Sequence, residues 1–404
     1  MFALITKILY NYYWKESEKM YRKTYVKIDC DILENNIREI KNKYQYKYYI
    51  GVVKANAYGH GDYIVNTLIK GGVNYLAASS LEECLNIRKR NSEIPILCLE
   101  PIDHDFLNVA EKENITITIP DMDYFNKLDL NQNLKVHLKI DSGMNRLGFK
   151  DKNEVKEVYN KLINNSAIKL EGIYTHFATS GMWDKHFDNA VENFKEITSL
   201  IDLTKIPIIH LGRSLTMVQH PNLQIANGIR LGIVMYGFNQ SLIEPTGLRL
   251  IKRNHYLKKY NISKVTYKND LNVKPAFSLY SKVMTIKNVK ANEYVGYGAK
   301  WIAEKDSRIA IIPIGFADGL LKQNEGLTVK IKNKQYKIIG EIGMDMTAVL
   351  IDEDVNLNDE VIIYDDIKEK SKLLGISAYQ LFTSVTTRVP RVYKENDKII
   401  EIKY

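Results

Sequence analysis

Between Thr24 and about Asn239, short apolar runs alternate with longer amphipathic stretches, and this alternation limits the fold more than any single residue does. Val26–Asp29, the run that ends at Val53, Tyr75–Ala78, Ile94–Leu99, Ile115–Ile119, Val136–Ile140, Ile168–Tyr174 and Ile206–His210 read as strands. Asp31 reads as the cap of a helix running through Lys43; another helix follows Asp62, and Ser80 opens one ahead of Glu82 and Glu83. A βαβα rhythm of this length predicts a parallel sheet closed into a (β/α)8 TIM-type barrel, in which ligands gather at the C-terminal ends of the strands.

Past Asn239 the rhythm breaks. Residues 241–274 are rich in Lys, Asn and Arg with little periodicity, and read as a charged inter-domain insert. From Pro275 onward the pattern is short β runs with turn signals: Ser278–Ile286, Arg308–Ile314, Leu327–Ile331, Tyr336–Ile342, Thr347–Ile351 and Glu360–Tyr364. Helices are expected over Ser371–Gly375 and Ser377–Ser384. The expected organisation is therefore a disordered N-terminal extension (1–21), a barrel (22–240), the insert (241–274) and a mainly β C-terminal domain (275–404).

A chain of 404 residues, 45% hydrophobic, can bury two cores. Its net charge of +9 comes from lysines scattered among Asn, Ile, Glu and Tyr, not from a stripe, so nucleic-acid binding is not expected. No apolar run reaches the roughly 18 residues of a membrane span, and the apolar Met1–Leu9 lacks a cleavage site. Cys30, Cys84 and Cys98 show no CxxC spacing, which argues against a disulfide framework or a zinc site and suits a reducing cytoplasm.

Two stretches carry chemistry. In Gly51-Val52-Val53-Lys54-Ala55-Asn56-Ala57-Tyr58-Gly59-His60-Gly61, Lys54 sits where a buried strand becomes a loop. A lysine there can be desolvated into a free amine, as Schiff-base chemistry with an aldehyde cofactor requires. Gly59 and Gly61 would let the backbone approach a ligand. The same pattern also fits a surface lysine after a core strand. In His137-Leu138-Lys139-Ile140-Asp141 the apolar side chains share one strand face and His137, Lys139 and Asp141 the other, aimed into the lumen. That is costly unless the three groups serve one another or a ligand.

The run Val52-Val53-Lys54-Ala55-Asn56-Ala57-Tyr58-Gly59-His60-Gly61 resembles the cofactor-lysine signature of the alanine racemase family, and the resemblance extends from Thr24 to Val392. It implies pyridoxal 5'-phosphate as cofactor and Lys54 as its tether and one of two proton carriers. Val295-Gly296-Tyr297-Gly298-Ala299 resembles the motif that supplies the second carrier, Tyr297, from a partner subunit. An ordinary tyrosine loses its proton near pH 10, so its surroundings must lower that value. Gly228-Ile229-Arg230-Leu231-Gly232 is similar to the motif whose arginine faces the pyridine nitrogen, with His210 orienting it. The resemblance further implies Tyr58, Ser214 and the amides of Gly232 and Ile233 at the phosphate, and His176 stacked near the cofactor. Arg146 corresponds to the contact of the phenolic oxygen and Lys139 to a lysine that many members carry carbamylated. Met344 and Asp345 correspond to partner-subunit residues at the substrate carboxylate, and Asp318, in Gly315-Phe316-Ala317-Asp318-Gly319, to a structural motif.

Some positions depart from the family pattern. Arg213 stands where Asn is usual, Thr387 where some members place a phosphate-contacting tyrosine, and Gly343 and Met346 where Cys and Gln are common. The implied activity is interconversion of L- and D-alanine by two-base proton transfer, supplying D-alanine for peptidoglycan, in a cytoplasmic homodimer with composite sites. The alternatives are a serine or broad-specificity racemase, a decarboxylase of the same barrel type, and a non-catalytic cofactor-binding protein. A decarboxylase normally pairs the pyridine nitrogen with an acid, which Arg230 disfavours.

Overall fold

The computed structural model describes residues 20–180, 185–220, 223, 225–239, 247–259 and 271–403. The chain divides into two compact units. One comprises the N-terminal residues through Ile32, Tyr58–Gly61 and everything from Pro275; the other comprises Leu33–Ala57 and Asp62–Lys274. The greater part of the extension read as disordered, residues 1–19, lies outside the described residues.

Strand β1 (Tyr25–Asp29) alternates half-buried and buried residues. The following helix, Cys30–Lys43, is capped by Asp29, whose Oδ1 accepts from Ile32 N at 3.0 Å. Asp31, expected to be the cap, instead accepts from the Asn396 amide at 2.7 Å, because its place inside the first turn carries its carboxylate away from the free amides.

Eight parallel strands then close a barrel: β2 (Tyr48–Val52), β3 (Tyr75–Ala78), β4 (Ile96–Cys98), β5 (Ile115–Ile119), β6 (Lys135–Lys139), β7 (Lys169–Tyr174), β8 (Ile208–Arg213) and β9 (Gly228–Leu231). β9 pairs with β2 to complete the ring, with Ile50 opposite Arg230. Several of these strands are buried on both faces, as parallel strands wrapped by helices must be. Ile50, Tyr75, Ala77, Leu97, Tyr174 and Ile208 form a core cluster in this unit. Within the stretch read as an insert, Leu248–Lys259 is a helix, and residues 241–246 and 260–270 lie outside the described residues.

In the other unit the C-terminal strands are β10 (Phe277–Lys282), β11 (Thr285–Val289), β12 (Tyr294–Val295), β13 (Trp301–Ile302), β14 (Ser307–Ile312), β15 (Thr328–Ile331), β16 (Lys334–Ile339), β17 (Thr347–Ile351), β18 (Glu360–Tyr364), β19 (Arg391–Glu395) and β20 (Lys398–Lys403). β12 and β13 pair alone; the others form a sheet in the order β11-β14-β17-β16-β15-β18-β10-β1-β19-β20. β1 thus sits between β10 and β19, Val26 facing Leu279 on one side and Arg391 on the other. The strand grouped with the barrel on its position in the chain belongs to this sheet instead. Helices Ile367–Leu374 and Ala378–Ser384 carry Asp366 and Ser377 as caps.

Candidate active site

The barrel strands bring one set of the sequence-singled residues together at their C-terminal ends. Lys54 follows β2, Lys139 ends β6, His176 lies two residues beyond β7, Ser214 follows β8, and Arg230 is on β9. The register carries Lys139 across to Tyr174 and Tyr174 to His210, with Arg213 opposite Arg230.

Arg230 is the centre of the cluster. Its side chain is buried, and Nη1 donates to His210 O at 2.6 Å and reaches His210 Nδ1 at 2.7 Å. Nη2 donates to the carbonyls of Thr175 (2.7 Å) and Leu211 (3.1 Å) and lies 3.4 Å from His176 Nδ1. Burial lowers its pKa to about 10, which leaves it protonated at neutral pH. No carboxylate pairs with it among the described residues. Its ring neighbour is Tyr174, 5.5 Å below the guanidinium and stacked on His210 at 4.6 Å.

Around this cation other groups give up their charge. Lys139 is buried over the Tyr174 ring at 4.5 Å, and burial, then Arg230 and Arg146, bring its pKa down to about 6. His176 is pushed down to about 2 by burial and then by Arg230, Lys139, Arg213 and Arg146. His210 is held well below its ordinary value by burial and Arg230. Arg146 itself is exposed, on a loop shaped by Asp141, which accepts from the amides of Gly143 (3.1 Å) and Asn145 (2.9 Å). Of the three ionisable groups on the β6 face, His137 and Lys139 face partners in the barrel, whereas Asp141 organises that loop. Ser214 Oγ accepts from the Gly232 amide at 3.0 Å, which leaves the hydroxyl hydrogen available; Ile233 beside it is buried. The Nε of Arg213 is buried without an acceptor among the described residues.

The backbone after Lys54 was not foreseen. Ala55, Asn56, Ala57 and Tyr58 all have positive φ between 51° and 53°, a left-handed turn. Glu83 holds its entrance, Oε1 accepting from Ala55 N at 2.7 Å and Oε2 from Ser79 N at 2.9 Å. Nothing in the sequence marks Glu83 beyond its place in a helix's first turn.

The other singled residues belong to the second unit. Tyr58 packs its ring 5.5 Å from Tyr379. Gly59 and Gly61 were expected to admit a ligand, but they make room for the chain itself. A Cβ at Gly59 would collide with the Phe382 carbonyl and one at Gly61 with the Tyr393 hydroxyl. Tyr297, in the short helical turn Tyr297–Ala299, and Met344 with Asp345 line one pocket of about 380 Å³ together with Glu341, Gly343 and Met346. Tyr297 is 73% exposed and Met344 55%. The loop carrying Met344 is held by the Gly315–Gly319 turn: Phe316 N donates to Gly343 O at 3.0 Å and Ala317 N to Met344 O at 3.1 Å. Asp318 is buried there and pairs with Arg22 at 2.7 Å, while Arg388 pairs with Asp345 at 2.7 Å.

Comparison with known proteins identifies the family. A family model described as alanine racemase, N-terminal domain, matches residues 28–240, and its C-terminal-domain counterpart matches residues 276–393. Alanine racemase 1 of Bacillus subtilis is 30% identical over 403 residues, covering 96% of this chain and 97% of that protein. An alanine racemase of Clostridium perfringens is 31% identical, covering 95% and 98%. The solved alanine racemase of Clostridium difficile 630 superposes with a TM-score of 0.82 at 31% identity, covering 95% of this chain and 99% of that one. No helix among the described residues is long and apolar enough to cross a membrane. With both family models and full-length relatives matching the barrel and the domain that follows it, the chain belongs to the alanine racemase family.

Proposed function

We propose that the chain interconverts L- and D-alanine with pyridoxal 5'-phosphate, as a cytoplasmic homodimer with composite active sites, and so supplies D-alanine for peptidoglycan. The observation that carries this reading is Arg230, buried, protonated and, among the described residues, bound only by carbonyls and imidazole. A buried guanidinium with no carboxylate in contact among the described residues suits a group that brings its own anions, a phosphate and a phenolate. Lys54 would tether the cofactor, with Ser214, Tyr58 and the amides of Gly232 and Ile233 at its phosphate. Arg146 would meet the phenolic oxygen and His176 the ring. Lys139, its amine largely neutral above about pH 6, is the group that carbamylation would convert to an anion beside Arg146.

When bound, the cofactor weakens the α-C–H bond of the attached amino acid by delocalising its electrons. The residues do the rest. Arg230 offers only donors and keeps its proton, so a pyridine nitrogen held against it would stay unprotonated, which would limit electron withdrawal and disfavour transamination. Lys54 Nζ holds or returns the proton on one face and Tyr297 Oη on the other. Met344, through its amide, and Asp345 would meet the substrate carboxylate. The high exposure of Tyr297 and Met344 supports their service to a second copy of the chain.

Mixing two dead variants tests chemistry and composite site together. Lys54→Ala and Tyr297→Phe homodimers should each fail to racemise alanine. After subunit exchange at equal concentrations, half the dimers are heterodimers with one intact site of two, so about a quarter of wild-type activity should appear. Activity in neither variant nor mixture, with active wild type, would count against sites shared between subunits.

A further inference from the structure

The polar chain that begins at Arg230 does not end at His210. His210 Nε2 lies 2.9 Å from His137 Nδ1, and His137 Nε2 lies 3.4 Å from Glu171 Oε2. The same carboxylate oxygen accepts from Tyr75 Oη at 2.6 Å and Thr116 Oγ1 at 3.1 Å. Two imidazoles, His210 and His137, thus connect Arg230 on β9 to Glu171, three residues before Tyr174 on β7. Both imidazoles are fully buried. The fold seats them individually: Gly172 leaves space for the His137 ring, which a Cβ there would approach to 2.5 Å, and Tyr174 stacks flat on His210.

Hydrogen positions follow from the end that has no choice. Arginine only donates, so His210 Nδ1 must accept. A neutral His210 then carries its hydrogen on Nε2 and gives it to His137 Nδ1. His137 in turn carries hydrogen on Nε2, 3.4 Å from Glu171 Oε2 in a contact that falls outside hydrogen-bond geometry, and Nε2 has no hydrogen-bond partner among the described residues. The opposite assignment would set N–H against N–H at Arg230. Burial keeps both rings neutral. At the far end the Glu171 carboxyl, which burial alone would raise, is held down at about 2 by His137, Tyr75 and Thr116.

We infer that Glu171 is a positioning residue for Arg230: through His137 and His210 it fixes the tautomers that present an acceptor to the guanidinium, and it supplies a counter-charge to a cation that has none in contact among the described residues. This rests on the reading that Arg230 serves the cofactor, and no proton has to move along the chain for it to hold. The 3.4 Å contact between His137 and Glu171 is the loosest step, so this is where a substitution should act.

The tautomers are read directly from long-range 1H–15N spectra of the imidazoles in full-length protein without cofactor, for wild type, Glu171→Leu and Glu171→Gln. Wild type should show both rings neutral with hydrogen on Nε2. Glu171→Leu should redistribute that hydrogen on His137 and His210 and, in the loaded enzyme, lower kcat by roughly five- to thirtyfold at nearly unchanged KM. Glu171→Gln, which keeps an acceptor but not the charge, should keep both hydrogens in place and lose about two- to threefold. A wild-type His210 with hydrogen on Nδ1 overturns the inference whether or not the leucine variant folds, and so does an unchanged His210 in folded Glu171→Leu. Failure of the wild type to racemise alanine would instead strike the proposed function and leave the tautomer result standing.

Discussion

Lys54 at the end of a barrel strand is legible from its neighbours, because an apolar run breaking into glycines can only mean a strand leaving the core. The path taken next is not. A left-handed turn costs an L-residue roughly 1–2 kcal/mol, and here Ala55, Asn56, Ala57 and Tyr58 adopt it in succession. Of the four only Asn has any inclination toward that region, so no propensity announces it. The turn persists because tertiary contacts over-determine it, and Glu83 makes one of them, joining the Ala55 and Ser79 amides through one carboxylate. Removing that carboxylate strands two backbone donors. Glu83→Ala should lower stability by about 1–3 kcal/mol in urea unfolding. It should also weaken cofactor retention, measured by dialysis, more than Glu83→Gln does. Equal behaviour of the two variants would argue against the carboxylate as the anchor.

Among elements, β1 shows what the sequence says when its period is weighed over its place in the chain. Tyr25, Lys27 and Asp29 alternate with the buried Val26 and Ile28, the period-two signature of a sheet with one wet face. Strands such as β3 and β4 are apolar throughout. The distinction was present in the letters, and the βαβα rhythm that follows obscured it. The polar residues of the barrel interior were half legible: alternation on β6 aimed His137 and Lys139 inward, whereas Glu171 and His210 meet His137 only once β6, β7 and β8 are laid side by side. This burial has an acid consequence. Glu171 has a depressed pKa of about 2 against an ordinary value near 4.3, so its stabilisation is complete above the ordinary value and is lost as pH falls toward 2. Unfolding in urea at pH 5 and pH 3 should therefore show a larger loss for wild type than for Glu171→Gln. An identical loss in both would mean that this carboxylate does not contribute.

At the scale of the whole molecule, the proposed function divides its chemistry between the two units. The barrel holds Lys54, Arg146, His176, Ser214 and Arg230, while Tyr297, Met344 and Asp345 line an open pocket of the second unit. On the proposed function, the 73% exposure of Tyr297 argues for a second subunit, because proton transfer at an exposed tyrosine would compete with bulk water. The motifs made this division visible in the sequence, since each is short and local. What remained hidden was the support beneath them, the Glu83 anchor and the Glu171–His137–His210 chain, whose members are far apart in sequence and individually unremarkable. Arg213, Gly343, Met346 and Thr387 depart from the pattern expected of the family, and alanine is the substrate the relatives support. The most direct measurement is chiral chromatography of L-alanine incubated with the purified, cofactor-loaded protein. D-alanine should accumulate until the enantiomers are equal, and the same mixture should be reached from D-alanine. Absence of D-alanine from a fully loaded protein would contradict the assignment.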